Sequence, residues 1–237
     1  MRSTTLLVCV AILCSLGSSS STAAQSSLFN IPTTDTLERG ETYIEADFDA
    51  NLARVREDRW QSFGGMAVRG ISKRFEVGVN AYAVRSADRF EPVEIQPNAK
   101  WKVYGNEDNG FSFATGIIGY LPISKGFHRI ANLSVYAVAS KQFASERAPR
   151  VTGGVYQLLG ATPDKSDSRG FLIGIEQPLF KRTTFIGDWK SGKNRFGYGA
   201  AGFGVALTKR SAIYTAYYFG NEGRGNNFLG VYYSRTF

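Results

Sequence analysis

The chain alternates. From Thr42 to Leu52, Ile44, Ala46, Phe48, Ala50 and Leu52 fall on one face, and Tyr43, Glu45, Asp47, Asp49 and Asn51 on the other. A period of two residues marks a β-strand with one apolar and one polar side. The end of the chain repeats the pattern. In Phe228–Phe237, Leu229, Val231, Tyr233 and Phe237 share one face, while Gly230, Tyr232, Ser234 and Thr236 share the other. Read throughout, the alternation predicts strands at 42–52, 59–72, 75–86, 93–104, 110–122, 131–142, 150–160, 170–179, 183–191, 196–208, 211–219 and 227–237. No stretch holds a helical period long enough to compete.

Strand length then narrows the fold. Most of these strands run ten residues or more. A tilted membrane strand needs about 9 to 11, whereas strands in soluble proteins average about 5 to 6. The connections also differ by side. Ser72-Lys73-Arg74, Phe180-Lys181-Arg182 and Thr208-Lys209-Arg210 are tight turns of shared chemistry. Longer polar links alternate with them, such as 53–59, 122–131 and 161–169. Short turns at one end and long loops at the other is the layout of an outer-membrane barrel. The expected fold is all-β, a closed antiparallel up-and-down transmembrane β-barrel over 41–237. It has about twelve strands, with ten or fourteen as alternatives. An even count puts both chain ends on the short-turn, periplasmic side. One strand alone does not separate this from a soluble sandwich, which would turn its apolar face inward. Trp60, Trp101, Trp189, Phe75, Phe143, Phe180, Tyr217 and Phe237 fall near strand ends, where a barrel carries aromatic girdles. Pro97 cannot donate to a ladder, so a bulge or break is expected around Gln96-Pro97-Asn98.

Composition agrees with an all-β chain: 26 Gly, 12 Tyr and 17 Phe against one His, with a formal charge of +8. The first residues read as an export signal. Met1-Arg2 gives a positive start, Leu6 to Leu16 is apolar apart from Ser15, and Thr22-Ala23-Ala24 offers a cleavage site. The apolar run is shorter than the roughly 20 residues a spanning helix needs. Residues 1–24 are therefore expected to be removed. Both cysteines, Cys9 and Cys14, lie in that segment, so its removal excludes disulfides and thiolate chemistry. Residues 25–40 are expected to form an irregular periplasmic lead-in.

Candidate chemistry is sparse. Gly197, Gly199 and Gly202 fit a dinucleotide fingerprint by spacing, but they stand in a strand pattern with no helix following. There the glycines are expected to thin a crowded wall. Gly187 to Asn194 approaches a phosphate-binding loop, but Asn194 stands where Ser or Thr should hold magnesium. The lone histidine, His128, has no Gly-x-Ser-x-Gly to serve. Glu45, Asp47 and Asp49 spread over about 14 Å of strand, too far apart for one ion. They read instead as lumen charges, with Arg69, Lys73, Lys100, Lys102, Asp188 and Lys190 completing a lumen of mixed sign in which opposite charges pair across the wall. Arg54, Arg56 and Arg59 could grip lipid phosphates at the outer leaflet. No motif calls for a metal or cofactor, and scattered basic residues give no nucleic-acid footprint.

The terminal strand resembles the last strand of bacterial outer-membrane barrels, whose final Phe and alternating residues are read by the assembly machinery. Leu229, Val231, Tyr233 and Phe237 would form that insertion signal. Arg235 departs from the pattern, which usually has an aromatic or apolar residue there. Asn30–Gly40 and Gly70–Gly78 look like small porin- and transporter-like barrels, the family around the phenol-degradation meta-pathway barrel in particular. The resemblance implies an exported, monomeric protein of the cell outer membrane, in contact with its lipid and its assembly machinery. It implies passive passage of a small, often apolar, solute and brings no catalytic residues. A closed structural or surface-interaction barrel is the alternative. A lipid-modifying enzyme built on His128 is a third.

Overall fold

The computed structural model describes residues 26–51, 59–86, 89–91, 93–123, 131–144, 147–160, 166–223 and 226–237. The export signal, His128, Arg54 and Arg56 lie outside these. The described residues form β1 (Thr42–Ala50), β2 (Trp60–Ser72), β3 (Phe75–Ser86), β4 (Arg89–Phe90), β5 (Glu94–Asn106), β6 (Phe111–Pro122), β7 (Asn132–Gln142), β8 (Arg150–Gly160), β9 (Arg169–Phe180), β10 (Thr183–Lys190), β11 (Tyr198–Thr208), β12 (Ser211–Gly220) and β13 (Phe228–Thr236). The two-residue β4 is a flap on β3. The other twelve are the wall, and each observed strand starts and ends within two residues of its expected bounds.

The ring closes. Every wall strand pairs antiparallel with its sequence neighbours, and β1 also pairs with β13. Ala46 thus lies between Tyr233 of β13 and Gly65 of β2. Closure leaves no open edge in the wall. The turns at Lys73–Arg74, Lys181–Arg182 and Lys209–Arg210 share an end with Thr42 and Thr236, and the longer links share the other end.

Burial decides which face is inside. Ile44 and Phe48 are exposed, while Glu45 and Asp47 between them are buried. The same inversion runs around the ring. Val77, Ile117, Val155, Ile173, Phe203 and Val231 point outward, and Glu76, Tyr136, Tyr156, Asp188 and Tyr232 point inward. A soluble protein does not carry a continuous apolar belt of this extent, because exposing it costs roughly 25 cal/mol per Å². In a bilayer the belt meets hydrocarbon, and the closed ladders satisfy the backbone within the wall outside the stretch at Pro97. The expected girdle residues other than Trp60 are exposed.

At Pro97 the expected break is confined to one ladder, with no bulge. β5 runs through the proline, and its register against β6 is the same on both sides: Ile95 faces Leu121 and Asn98 faces Ile118. The cost is local. Gln96 and Pro97 have no cross-strand pair on β6, whereas on β3 they pair with Asn80 and Val79. The lost amide donor opens a gap in one ladder and leaves the strand intact. At Gly204, in the glycine-spaced stretch, a Cβ would stand 2.7 Å from the Tyr214 ring. Of the three glycines of the fingerprint, Gly202 meets the expectation, since a Cβ there would run into the Thr215 carbonyl, Gly199 has only ordinary contact at 3.6 Å, and Gly197 precedes β11; no helix follows them to hold a nucleotide.

Candidate functional site in the lumen

The lead-in is folded into the barrel. Ser27 and Pro32 form a bridge, the Leu28 amide donates to the Ile31 carbonyl at 2.8 Å, and the Thr33 amide donates to the Ser26 carbonyl at 3.1 Å. These bonds make a short hairpin with Phe29 and Asn30 at its tip. Leu28 and Ile31 are buried against Ala114, Val138, Leu172, Ile186 and the lumen tyrosines. Gly174 makes room for them: a Cβ there would lie 2.4 Å from Leu28 Cδ1 and 2.8 Å from Ile31 Cδ1. Apolar side chains thus fill the middle of a lumen whose polar groups sit around them.

Three anchors fasten the hairpin. At the tip, the Asn30 amide and its Nδ2 donate to the two oxygens of Asp188, at 2.6 and 2.8 Å. Nearer the short-turn end, Lys100 Nζ donates to the Ser26 carbonyl and Oγ at 2.6 and 2.7 Å and pairs with Glu76 at 3.0 Å. Glu76 also accepts from Ser26 Oγ and, at 2.9 Å, from the Leu37 amide. Further round the wall, on β8, Arg150 pairs with Asp35, which follows the hairpin, and with Glu176 of β9. Buried charges are tolerable when paired and hydrogen-bonded in this way.

The long-loop end carries a second constriction. Arg195, in the link from β10 to β11, donates to Glu94 Oε2 at 2.6 Å and lies over the rings of Tyr120 and Phe196. Asn194 is buried and donates to the Tyr156 hydroxyl at 2.8 Å. The segment that resembled a phosphate loop is an inward-folded loop; no helix follows it, and β11 begins at Tyr198.

The expected lumen charges divide. Glu45, Asp47, Asp49, Lys100, Asp188 and Lys190 face the lumen, and Lys102 lies on the same face of β5, half-buried near the short turns. Arg69 and Lys73 do not belong with them. The buried positions of β2 are Ser62, Val68 and Gly70, so Arg69 points outward at the rim, where it donates to Thr42 Oγ1; Lys73 stands exposed in a turn. The expected pairing of the acidic row with these cations is also absent among the described residues. The three carboxylates accept instead from phenols: Glu45 from Tyr43, Asp47 from Tyr82 at 2.8 Å and Asp49 from Tyr232 at 2.7 Å. Lys190 lies over the rings of Tyr156 and Phe196, at 4.6 and 5.0 Å. Glu76, Glu94, Arg150 and Glu176 were missed. Each alternates with outward residues, Phe75 and Val77 around Glu76 for example, so the period-2 signal was there to read. Of the terminal strand, Leu229, Val231, Tyr233 and Phe237 face outward.

No family model matches the chain, and no curated protein sequence does. Solved structures do. The KdgM porin superposes with a TM-score of 0.62 at 10% identity, over 82% of this chain and 99% of that one. The fold is that of a small outer-membrane barrel. An outer membrane channel from Pseudomonas putida F1 agrees, with a TM-score of 0.57 at 14% identity over 86% of this chain and 98% of that one. Outer membrane phospholipase A from Escherichia coli has a TM-score of 0.50 at 11% identity, covering 82% and 91%. At such identities the likeness speaks for the architecture. It supports small outer-membrane barrels at large, without singling out the phenol-degradation kinship.

Proposed function

We propose that this chain is an outer-membrane channel for small solutes, closed in the described state by its own N-terminal hairpin. The observation that carries this reading is how the hairpin is held. Its polar contacts to the wall, at Asp188, Glu76–Lys100 and Arg150, are ion pairs and hydrogen bonds with partners that water could replace. Each is worth about 1 kcal/mol net, up to about 3 where a charge takes part. The likeness to a porin and to an outer membrane channel supports the same reading. The kinship with the phenol-degradation barrels belongs to the proposal too and would make the solute small and apolar. A twelve-stranded wall is intermediate between barrels filled by side chains and open porins, so the hairpin is what sets the bore.

One observation favours the closed structural barrel. Ile31 is fully buried and Leu28 nearly so, which ties the hairpin to the wall by apolar contact as well. Planar-bilayer recording separates the two. The refolded protein should give rare, discrete conductance steps, and Arg150→Ala with Asp188→Ala should make them frequent. Silence from both proteins would leave the closed barrel.

A further inference from the structure

Between the hairpin tip and β1 lies a cavity of about 190 Å³, lined by Glu45, Asp47 and Asp49 and by Phe29, Tyr218 and Tyr232. At roughly 30 Å³ per water, it would hold about six. The carboxylates on its wall are anomalous in this lumen. Glu76 has Lys100, Glu94 has Arg195, Glu176 has Arg150, and Asp188 has Asn30. Among the described residues, no Lys or Arg pairs with Glu45, Asp47 or Asp49. Each has one phenol donor and no cation. Asp47 is 8% exposed, and its Oδ1 is buried with no hydrogen-bond partner. Buried charge without a counter-charge is costly, and an unsatisfied buried oxygen in a cavity wall points to a missing partner.

The chemistry of the wall selects the partner. Alternate residues of a strand sit about 7 Å apart, and among the described residues no group of three acidic or metal-ligating side chains could hold a metal ion. The rest of the lining is largely aromatic: Phe29 comes from the hairpin, and Tyr232 and Tyr218 come from β13 and β12, beside β1. Phe29 and Tyr218 meet edge-on at 6.2 Å and 64°, and Tyr218 and Tyr232 at 6.5 Å and 83°. These are ring-on-ring contacts, and Tyr218 is also stacked on Phe228 at 4.1 Å, so what the cavity offers is ring surface beside carboxylates, which suits an alkylammonium group whose charge meets the acids and whose methyl groups meet the rings. We propose that this cavity binds a small organic cation of the quaternary alkylammonium class. The ammonium sits against Asp47 and Asp49 with its methyl groups on the rings. Phe29 and Asn30 belong to the hairpin, so the site is whole only while the hairpin is seated. A ligand bound there stabilises the closed state by mass action.

The test is calorimetric titration of the full mature barrel in detergent with choline chloride. Its neutral isostere 3,3-dimethylbutan-1-ol, sodium chloride and calcium chloride serve as comparators. Choline should bind saturably at one site, at least about tenfold more tightly than the isostere. Asp47→Asn and Asp49→Asn should each weaken choline about tenfold or more, and Tyr218→Leu by several-fold. Retention of the gel shift between unboiled and boiled protein shows that each variant is folded. No saturable binding, equal binding of the isostere, or saturable calcium binding in place of choline would overturn the proposal, as would folded aspartate variants that bind choline unchanged. If a variant does not fold, the choline-to-isostere ratio on the unaltered barrel decides alone. The titration requires no conduction, so a silent bilayer would remove the channel reading and leave this one standing.

Discussion

The two sides of the lumen hairpin are built on opposite principles. On the side of β3, β5, β8, β9 and β10, polar wall groups are spent on holding it: Glu76, Lys100, Arg150 and Asp188 each contact hairpin atoms. On the side of β1 the wall offers carboxylates to a cavity, and the hairpin answers with the Phe29 ring beside it. The same kind of residue does both jobs, since Asp188 and Asp49 are each inward-facing acids on alternating strands. Their difference is the partner opposite. An acid opposite amide donors fastens a segment, and an acid opposite space waits for a counter-charge.

The largest test of this contrast removes the hairpin. Deleting residues 26–37 should convert rare conductance events into sustained steps, and unchanged traces would mean the hairpin does not set the bore. Next comes the fastened side. Arg150→Ala leaves Asp35 and Glu176 without their cation and should cost about 3 kcal/mol in urea unfolding. It should also make Leu28→Cys, added to the same chain, react faster with a water-soluble thiol reagent. A smaller effect separates the two aspartates directly. Asp188→Asn should cost about 1 to 3 kcal/mol, because an amide facing the Asn30 donors serves them less well than a carboxylate. Asp49→Asn should be neutral or stabilising, because it removes charge from an uncompensated row. Equal losses at the two positions would erase the contrast. The smallest expected effect is at the rim: Arg69→Gln and Lys73→Gln should leave ion selectivity, read from the reversal potential in a salt gradient, unchanged.

The wall was legible in the sequence because a strand exposes its two faces in alternate letters, and a bilayer demands that the outer letters be apolar without interruption. Once strand length and the layout of turns and loops select a barrel over a sandwich, the outward phase of Ile44 and Phe48 puts Glu45 and Asp47 inside. Arg69 went astray for a related reason. Its charge suits a lumen, but Ser62 and Val68 fix the inward phase of β2 and Arg69 stands off that phase. The hairpin was not legible. Residues 26–37 carry no period, and the signal that they belong inside lies in three dimensions, in the gap left at Gly174 and in the convergence of Glu76, Arg150 and Asp188 from strands far apart in sequence. Pairing of the acidic row failed likewise. Sequence shows which charges face inward, but the ring's circumference decides which of them meet.

The short connection between hairpin and wall has a kinetic meaning. The Gly40 amide donates to the Gly70 carbonyl at 2.9 Å, and the Gly70 amide donates to the Glu41 carbonyl at 3.0 Å. The chain is thereby pinned to β2 at the rim, a few residues after the last hairpin contact at Leu37. A hairpin that leaves the lumen cannot diffuse away. It remains at the mouth on a leash, at an effective concentration in the millimolar range. Re-entry is then a unimolecular event whose rate does not depend on how much protein the membrane holds. Opening would be brief by construction, and its duration would lengthen with residues inserted after Glu38.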